Sequence, residues 1–286
     1  SDMWAAAAPY AHPVVFLFMG GFIIAQAIQA RGLSRRLALF VIQRQGGSPK
    51  RTVAAFFITA ATLSLWVNNT ATALMLLPIA HEVLRSSGDD AHQRWGIPLL
   101  LALAYGCNIG GMGTLIGTAP NALTAAFLAQ ELDFKVSFAH WLMFGLPMVV
   151  VGVVLGIFLL TRWLYQVPSA GVSADLTKLA PMSAGEKRTA AIAFLTALAW
   201  MTKPLLVQWI PGIHDTAIAM IAAVLLFVIP RGEKEDNPEQ TDLRLLNWQE
   251  AVALPWGVLI LFGGGLSLAA AIQSSGLAEW LLSLIH

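Results

Sequence analysis

The run Val53–Val83 is almost wholly apolar, with one polar knot at its middle, Asn68-Asn69-Thr70. Bilayer hydrocarbon offers no water to polar groups, so a polar turn at that depth must face protein or a water-filled cavity. Each arm beside the knot is short. Val53–Val67 is 15 residues, which as helix rises about 22 Å against a hydrocarbon core of about 30 Å. Two short arms meeting at a polar tip predict a hairpin, 51–84, that enters the membrane and leaves by the same face. Elsewhere the pattern predicts crossings near 14–30, 97–129 (broken in its middle), 140–164, 189–208, 214–230 and 255–273. Recurring apolar windows of about 17 to 23 residues mark a polytopic helical membrane protein. The expected fold is all-α, with a re-entrant helical hairpin and a broken transmembrane helix.

Charge placement decides between a hairpin and one long tilted crossing over 53–83, because the two give every later loop the opposite side. The segment after the first crossing holds Arg31, Arg35, Arg36, Arg44, Lys50 and Arg51 with no acidic residue, and reads as cytoplasmic. With a hairpin, Arg85, Arg94, Arg162, Lys178, Lys187, Arg188, Arg231, Lys234 and Arg244 fall on that side too. Of the 17 basic residues only Lys135 and Lys203 are then left outside. A crossing would divide them almost evenly. The hairpin is preferred. Residues 32–49 then read as a basic helix on the inner surface, and 166–188 as a cytoplasmic linker. The loop 231–250 carries Glu233, Glu235, Asp236, Glu239 and Asp242. Acidic residues weigh little in the orientation rule, and the loop reads as a solvated one.

Leu17-Phe18 … Gly20-Gly21 … Ala25 … Ala27-Ile28-Gln29 … Gly32-Leu33 aligns with Leu261-Phe262 … Gly264-Gly265 … Ala269 … Ala271-Ile272-Gln273 … Gly276-Leu277 at a constant offset of 244, with 10 of 17 positions identical. An odd number of expected crossings separates the copies, so they point in opposite directions. That predicts an inverted-topology repeat, a construction that binds solute near the bilayer midplane in many transporters. Residues 1–165 then form part of a first repeat and 189–286 the start of a second. Both ends read as cut, and a second hairpin is expected beyond His286. Ser1-Asp2-Met3 leads into an apolar segment without the basic start of a cleavable signal.

A second polar cluster lies in the broken crossing. Tyr105–Asn121 holds five glycines and one proline in 17 residues, which disfavours continuous helix. Glycines let backbone carbonyls turn toward a cation, and a helix resuming near Pro120 would aim its amides at an anion. Thr118 and Asn121 add neutral hydrogen-bonding groups. Close helix packing is the competing use of such glycines, but it does not need Thr118 and Asn121. Gly111, Gly113 and Gly117 lack the spacing and βαβ context of a nucleotide fingerprint.

Hydrophobic residues make up 57% and charged residues 12%, about half the charged share of a soluble domain. The net charge of +1 excludes a bulk-basic nucleic-acid binder, and the single Cys107 excludes a disulfide framework within the chain. Lys203, before Pro204, reads as a snorkelling residue. The histidines fall at span ends or loops, and no nucleophile–base constellation appears, so no enzyme is expected.

Ser64-Leu65-Trp66-Val67-Asn68-Asn69-Thr70-Ala71-Thr72 … Pro78-Ile79 resembles the signature hairpin of the divalent anion–sodium symporter family, which carries Ser-Asn-Thr at its tip. Gly117-Thr118-Ala119-Pro120-Asn121 resembles that family's Gly-Thr-Pro-Pro-Asn loop, and Pro255–Leu277 the helix entering its second half. The resemblance spans nearly the whole chain. It implies a homodimer of inverted repeats in a bacterial-type inner membrane, each subunit moving a transport domain like an elevator. The substrates it implies are succinate, malate, fumarate, citrate or sulfate, with Na⁺ as coupling ion. By position it implies Ser64, Asn68, Asn69 and Gly117 at a sodium site, and Asn69, Thr70 and Thr118 at a substrate carboxylate, with Asn121 beside them. The departure is Asn68 in place of serine. An amide oxygen can still meet Na⁺, but the longer side chain reshapes the site, which keeps a sodium-independent exchanger open. No arginine lies within an apolar span, so Na⁺ would supply the positive charge beside the anion and the two would bind interdependently.

Overall fold

The computed structural model describes residues 3–43, 48–87, 92–132, 134, 136–168, 180–232, 244–277 and 280. Among the described residues regular structure is helical, save one isolated bridge between Pro230 and Arg244. After two short N-terminal turns come α1 (Pro13–Ala30), α2 (Leu33–Gln43), α3 (Pro49–Ser64), α4 (Asn69–Ser86), α5 (Ile97–Gly111), α6 (Ala119–Glu131) and α7 (Phe138–Phe158). A π turn, Leu159–Trp163, prolongs α7. Then follow α8 (Ala184–Met201), α9 (Lys203–Trp209), α10 (Asp215–Val228), α11 (Trp248–Ala251) and α12 (Trp256–Ser274).

Three of these are long and apolar enough to cross a membrane: α1, α7 with its π turn, and α12. The polytopic helical class holds. The expected crossing 189–208 is covered by α8 and α9, apolar enough together but bent by 82° where they meet. Pro204 lies in the first turn of α9, where its missing N–H is tolerated and its ring favours a kink in the preceding turn. The second apolar stretch, 214–230, forms a helix of only 14 residues.

The hydrophobic run 51–84 folds as two helices, α3 and α4, around the turn 65–68, and α2 touches both arms. A hairpin that returns to its starting side would produce that contact. In a bilayer, helix association rests on close van der Waals approach, because lipid is as apolar as leucine. The packing of α5 on α3 follows this rule. A Cβ on Gly106 would lie 2.8 Å from the Phe57 carbonyl oxygen, and one on Gly110 would collide with the Ala61 backbone. Phe56, Phe57, Leu76, Leu84 and Leu99 fill the core around this contact. A second core joins α1, α6, α10 and α12, where Phe18 meets Phe262 at 5.2 Å between ring centroids.

Segments that the charge rule assigns to the inner side meet one another. Arg31 pairs with Glu250, and Arg36 grips Glu186 with Nε and Nη2 at 2.7 and 2.9 Å while donating to the Ala180 carbonyl. The Lys50 amide donates to the Pro168 carbonyl at 3.3 Å. At the other edge Lys203 forms an ion pair with Asp215 at 2.8 Å, Asp215 also accepts from the Phe138 amide, and Thr216 donates to the Pro13 carbonyl. Lys203 is therefore ion-paired rather than free at the surface. Arg44, Lys135, Lys178, Lys234 and the acidic residues 233–242 lie outside the described residues.

Candidate functional site

The hairpin tip is built by a cap. Asn68 takes the N-cap of α4, and its Oδ1 accepts the Ala71 N–H at 2.9 Å, satisfying one of the amides a helix start leaves open. Thr72 donates back to the Val67 carbonyl at 3.4 Å. Trp66, two residues before the cap, stacks on Phe138, which stacks on Trp200 at 4.3 Å. The tip is thus held from inside by its cap and from outside by aromatic rings.

The broken crossing is held against this tip by hydrogen bonds that its glycines make room for. Thr114, buried, donates to the Leu65 carbonyl. Trp141 Nε1 donates to the Met112 carbonyl at 3.0 Å. Asn121 Nδ2 donates to the carbonyls of Gly111 and Thr114 at 2.8 and 2.7 Å. The break between α5 and α6 is therefore a braced turn, with its freed carbonyls satisfied by side chains as membrane depth requires.

Between tip and break lies a cavity of about 580 Å³, lined by Phe22, Asn68, Asn69, Thr70, Ala71, Leu74, Asn108, Gly117, Thr118, Ala119, Pro255 and Val258. Among the described residues no charged side chain lines it. The starts of α4 and α6 both open onto it, and such helix starts carry partial positive charge and unpaired N–H groups. Thr118 holds the N-cap position of α6 without a side-chain cap bond, which leaves its hydroxyl for the cavity.

Seven residues were expected here from sequence. Asn68, Asn69, Thr70, Gly117 and Thr118 line the cavity together. Ser64 is fully buried behind it and donates to Asn69 Oδ1 at 2.7 Å. Asn121 does not line it; its amide nitrogen is committed to the two carbonyls of the break. Asn108 was not expected. It lines the cavity, and its Oδ1 accepts from Asn69 Nδ2 at 3.0 Å. It lies within the polar cluster Tyr105–Asn121 that the sequence marks, which was the available signal.

Neutral oxygens gather where the hairpin meets the break. A Cβ on Gly117 would lie 2.5 Å from the Gly111 carbonyl oxygen and 3.0 Å from that of Ser64, and one on Gly111 would strike Asn69 Oδ1. This donor set, hydroxyl, amide and carbonyl oxygens without charge, suits a hard monovalent cation in type.

A family model described as citrate transporter matches residues 2–286. The chain belongs to the citrate transporter family. It is 36% identical over 296 residues to the sodium-dependent dicarboxylate transporter SdcS of Staphylococcus aureus strain USA300, an alignment covering 95% of this chain and 55% of that protein. The same transporter from strain bovine RF122 / ET3-1 matches with the same identity and coverage. This member of the citrate transporter family spans about half the length of the curated relatives it matches. The resemblance to divalent anion–sodium symporters drawn from the hairpin and the broken loop agrees with these matches. The family is one of transporters rather than enzymes, and the apolar helices make the chain an integral membrane protein.

Proposed function

We propose that this chain carries the first half of the binding site of a secondary transporter that couples Na⁺ to import of small dicarboxylates such as succinate, malate or fumarate. The observation that carries the proposal is the uncharged cavity at which a capped hairpin tip and a braced helix break converge. A dianion there would meet hydroxyls, amides and two helix starts, and would lack a fixed cation to balance it. A sodium ion held by Ser64, Asn68, Asn69 and Gly117 supplies that charge, and Asn69, Thr70 and Thr118 face the carboxylate. Asn121 acts from behind by shaping the break. The name of the SdcS relatives supports sodium and dicarboxylate as the pair. Inverted repeats, elevator movement, a homodimer and a bacterial plasma membrane complete the reading, which rests for these points on the internal repeat and the family.

Succinate uptake by the full-length protein in liposomes tests it. Uptake is expected with an inward Na⁺ gradient and is expected to vanish when choline replaces Na⁺. Thr70→Val keeps the shape but removes the hydroxyl, and should weaken succinate affinity by about tenfold, the equivalent of one net hydrogen bond of about 1.5 kcal/mol. A second reading, a sodium-independent dicarboxylate exchanger of the same fold, is favoured by one observation: Asn68 Oδ1 already accepts the Ala71 N–H. Equal uptake in choline would select it.

A further inference from the structure

The cavity contains one polar side chain that lies outside both motifs. Asn108 stands in the last turn of α5, between Gly106 and Gly110, the residues that press α5 onto the hairpin arm. At about 100° per residue the glycines point toward α3 and Asn108 points away from it. It shares an exposed face with Tyr105 and Met112. The glycine contact leaves α5 no freedom to rotate, so packing fixes the direction of the Asn108 side chain.

Its hydrogen bonding is half complete. Asn108 Oδ1 accepts from Asn69 Nδ2 at 3.0 Å, and Asn69 Oδ1 accepts from Ser64 Oγ at 2.7 Å. The Asn69 amide is thereby held at both ends. Among the described residues the Asn108 NH₂ has no hydrogen-bond partner, and it belongs to a side chain that lines a cavity without charge. The Asn108 side chain is exposed on the cavity side, so its NH₂ is free to meet a bound solute. A carboxylate is an acceptor-only group with about four lone-pair sites, and so is its natural complement.

We propose that Asn108 is a substrate-selecting residue: it holds Asn69 through its oxygen and donates from its amide nitrogen to a carboxylate of the bound dianion. This deepens the transport reading and rests on it. Selectivity follows from the chemistry, because a neutral or cationic solute offers that NH₂ no carboxylate oxygen.

Asn108→Asp removes the donor while leaving Asn69 its acceptor. It keeps the size and an oxygen for Asn69 Nδ2, but replaces the donor with an acceptor and sets negative charge beside the anion. In liposomes with full-length protein, the half-saturating succinate concentration should rise by more than about tenfold. Asn108→Ala should raise the succinate value by about tenfold. Asn108→Asp near wild type, with the donor gone and an oxygen for Asn69 kept, overturns the donor role. Thermal unfolding of each purified variant reports on folding. If Asn108→Asp does not fold, an unchanged succinate value in folded Asn108→Ala overturns the proposal. Wild-type protein inert to succinate removes the transport reading and this assignment together, whereas active wild type with indifferent variants removes only the assignment.

Discussion

In the first copy of the repeated segment, a Cβ on Gly20 would lie 2.7 Å from Ala219 Cβ and one on Gly21 would lie 3.1 Å from Ile116. Among the described residues, the equivalent Gly264 of the second copy has only the Tyr10 hydroxyl near it, at 3.3 Å, and Gly265 has nothing within 4 Å. The helical window of α1 is 56% buried and that of α12 is 22% buried. Yet the two segments end alike. The Arg31 amide donates to Ala27 and that of Gly32 to Gln29; the Ser275 amide donates to Ala271 and that of Gly276 to Gln273, the same positions 244 residues on. Gly32 and Gly276 have φ of 75° and 69°. Likeness of sequence has therefore kept the manner in which the helix stops, while the neighbours along its flank differ. The shared Gly-Leu belongs to the turn, and the shared Gly-Gly is a surface whose use depends on what lies against it.

Thermal unfolding of point variants of this 286-residue chain can break this contrast. The largest effect is expected for Gly20→Val, which pushes a branched side chain into the Ala219 backbone and should cost about 3 kcal/mol. Gly264→Val meets only a hydroxyl at the end of a tyrosine and should cost far less. Equal losses would mean that both flanks are gripped alike. Next comes Arg31→Ala. Arg31 is nearly buried and pairs with Glu250, itself a quarter exposed, so leaving that carboxylate without its arginine should cost about 2 kcal/mol. Ser275, at the equivalent position, carries no charge, and Ser275→Ala should be close to neutral. The smallest paired effect tests the likeness instead. Gly32→Ala and Gly276→Ala each force a Cβ into left-handed backbone with nothing else within 4 Å, and should cost about 1 kcal/mol apiece. A large inequality between these two would show that the turns are alike in shape only.

The parts of this molecule that the sequence reveals are those where polarity interrupts an apolar run. Asn68-Asn69-Thr70 and the glycine-rich stretch before Asn121 stand out because neither can face lipid, and five residues drawn from them meet at one cavity. Asn108 lay within the marked cluster Tyr105–Asn121 without being singled out, because its orientation depends on glycines that clamp the far side of α5. Asn121 was legible as polar, but only the folded turn shows that its nitrogen serves the carbonyls of Gly111 and Thr114. The bend at Thr202 had a visible cause in Pro204. Apolar length outweighed it in the sequence reading, although a helix near its end is where one proline suffices to turn the chain.

Phe18 and Phe262 occupy equivalent positions in the two copies, 244 residues apart, and their rings touch at 5.2 Å and 55°. A residue that contacts its own duplicate lies on the axis relating the duplicates. Had the halves begun as separate identical chains, this would have been a self-contact at the centre of an isologous interface, where one side chain must be complementary to itself. Phenylalanine meets that demand because its ring has an electron-rich face and an electron-poor edge, so two of them tilt together without a clash of like charge. In the present single chain a change at either position alters one partner only, so each ring can be varied against an unchanged neighbour.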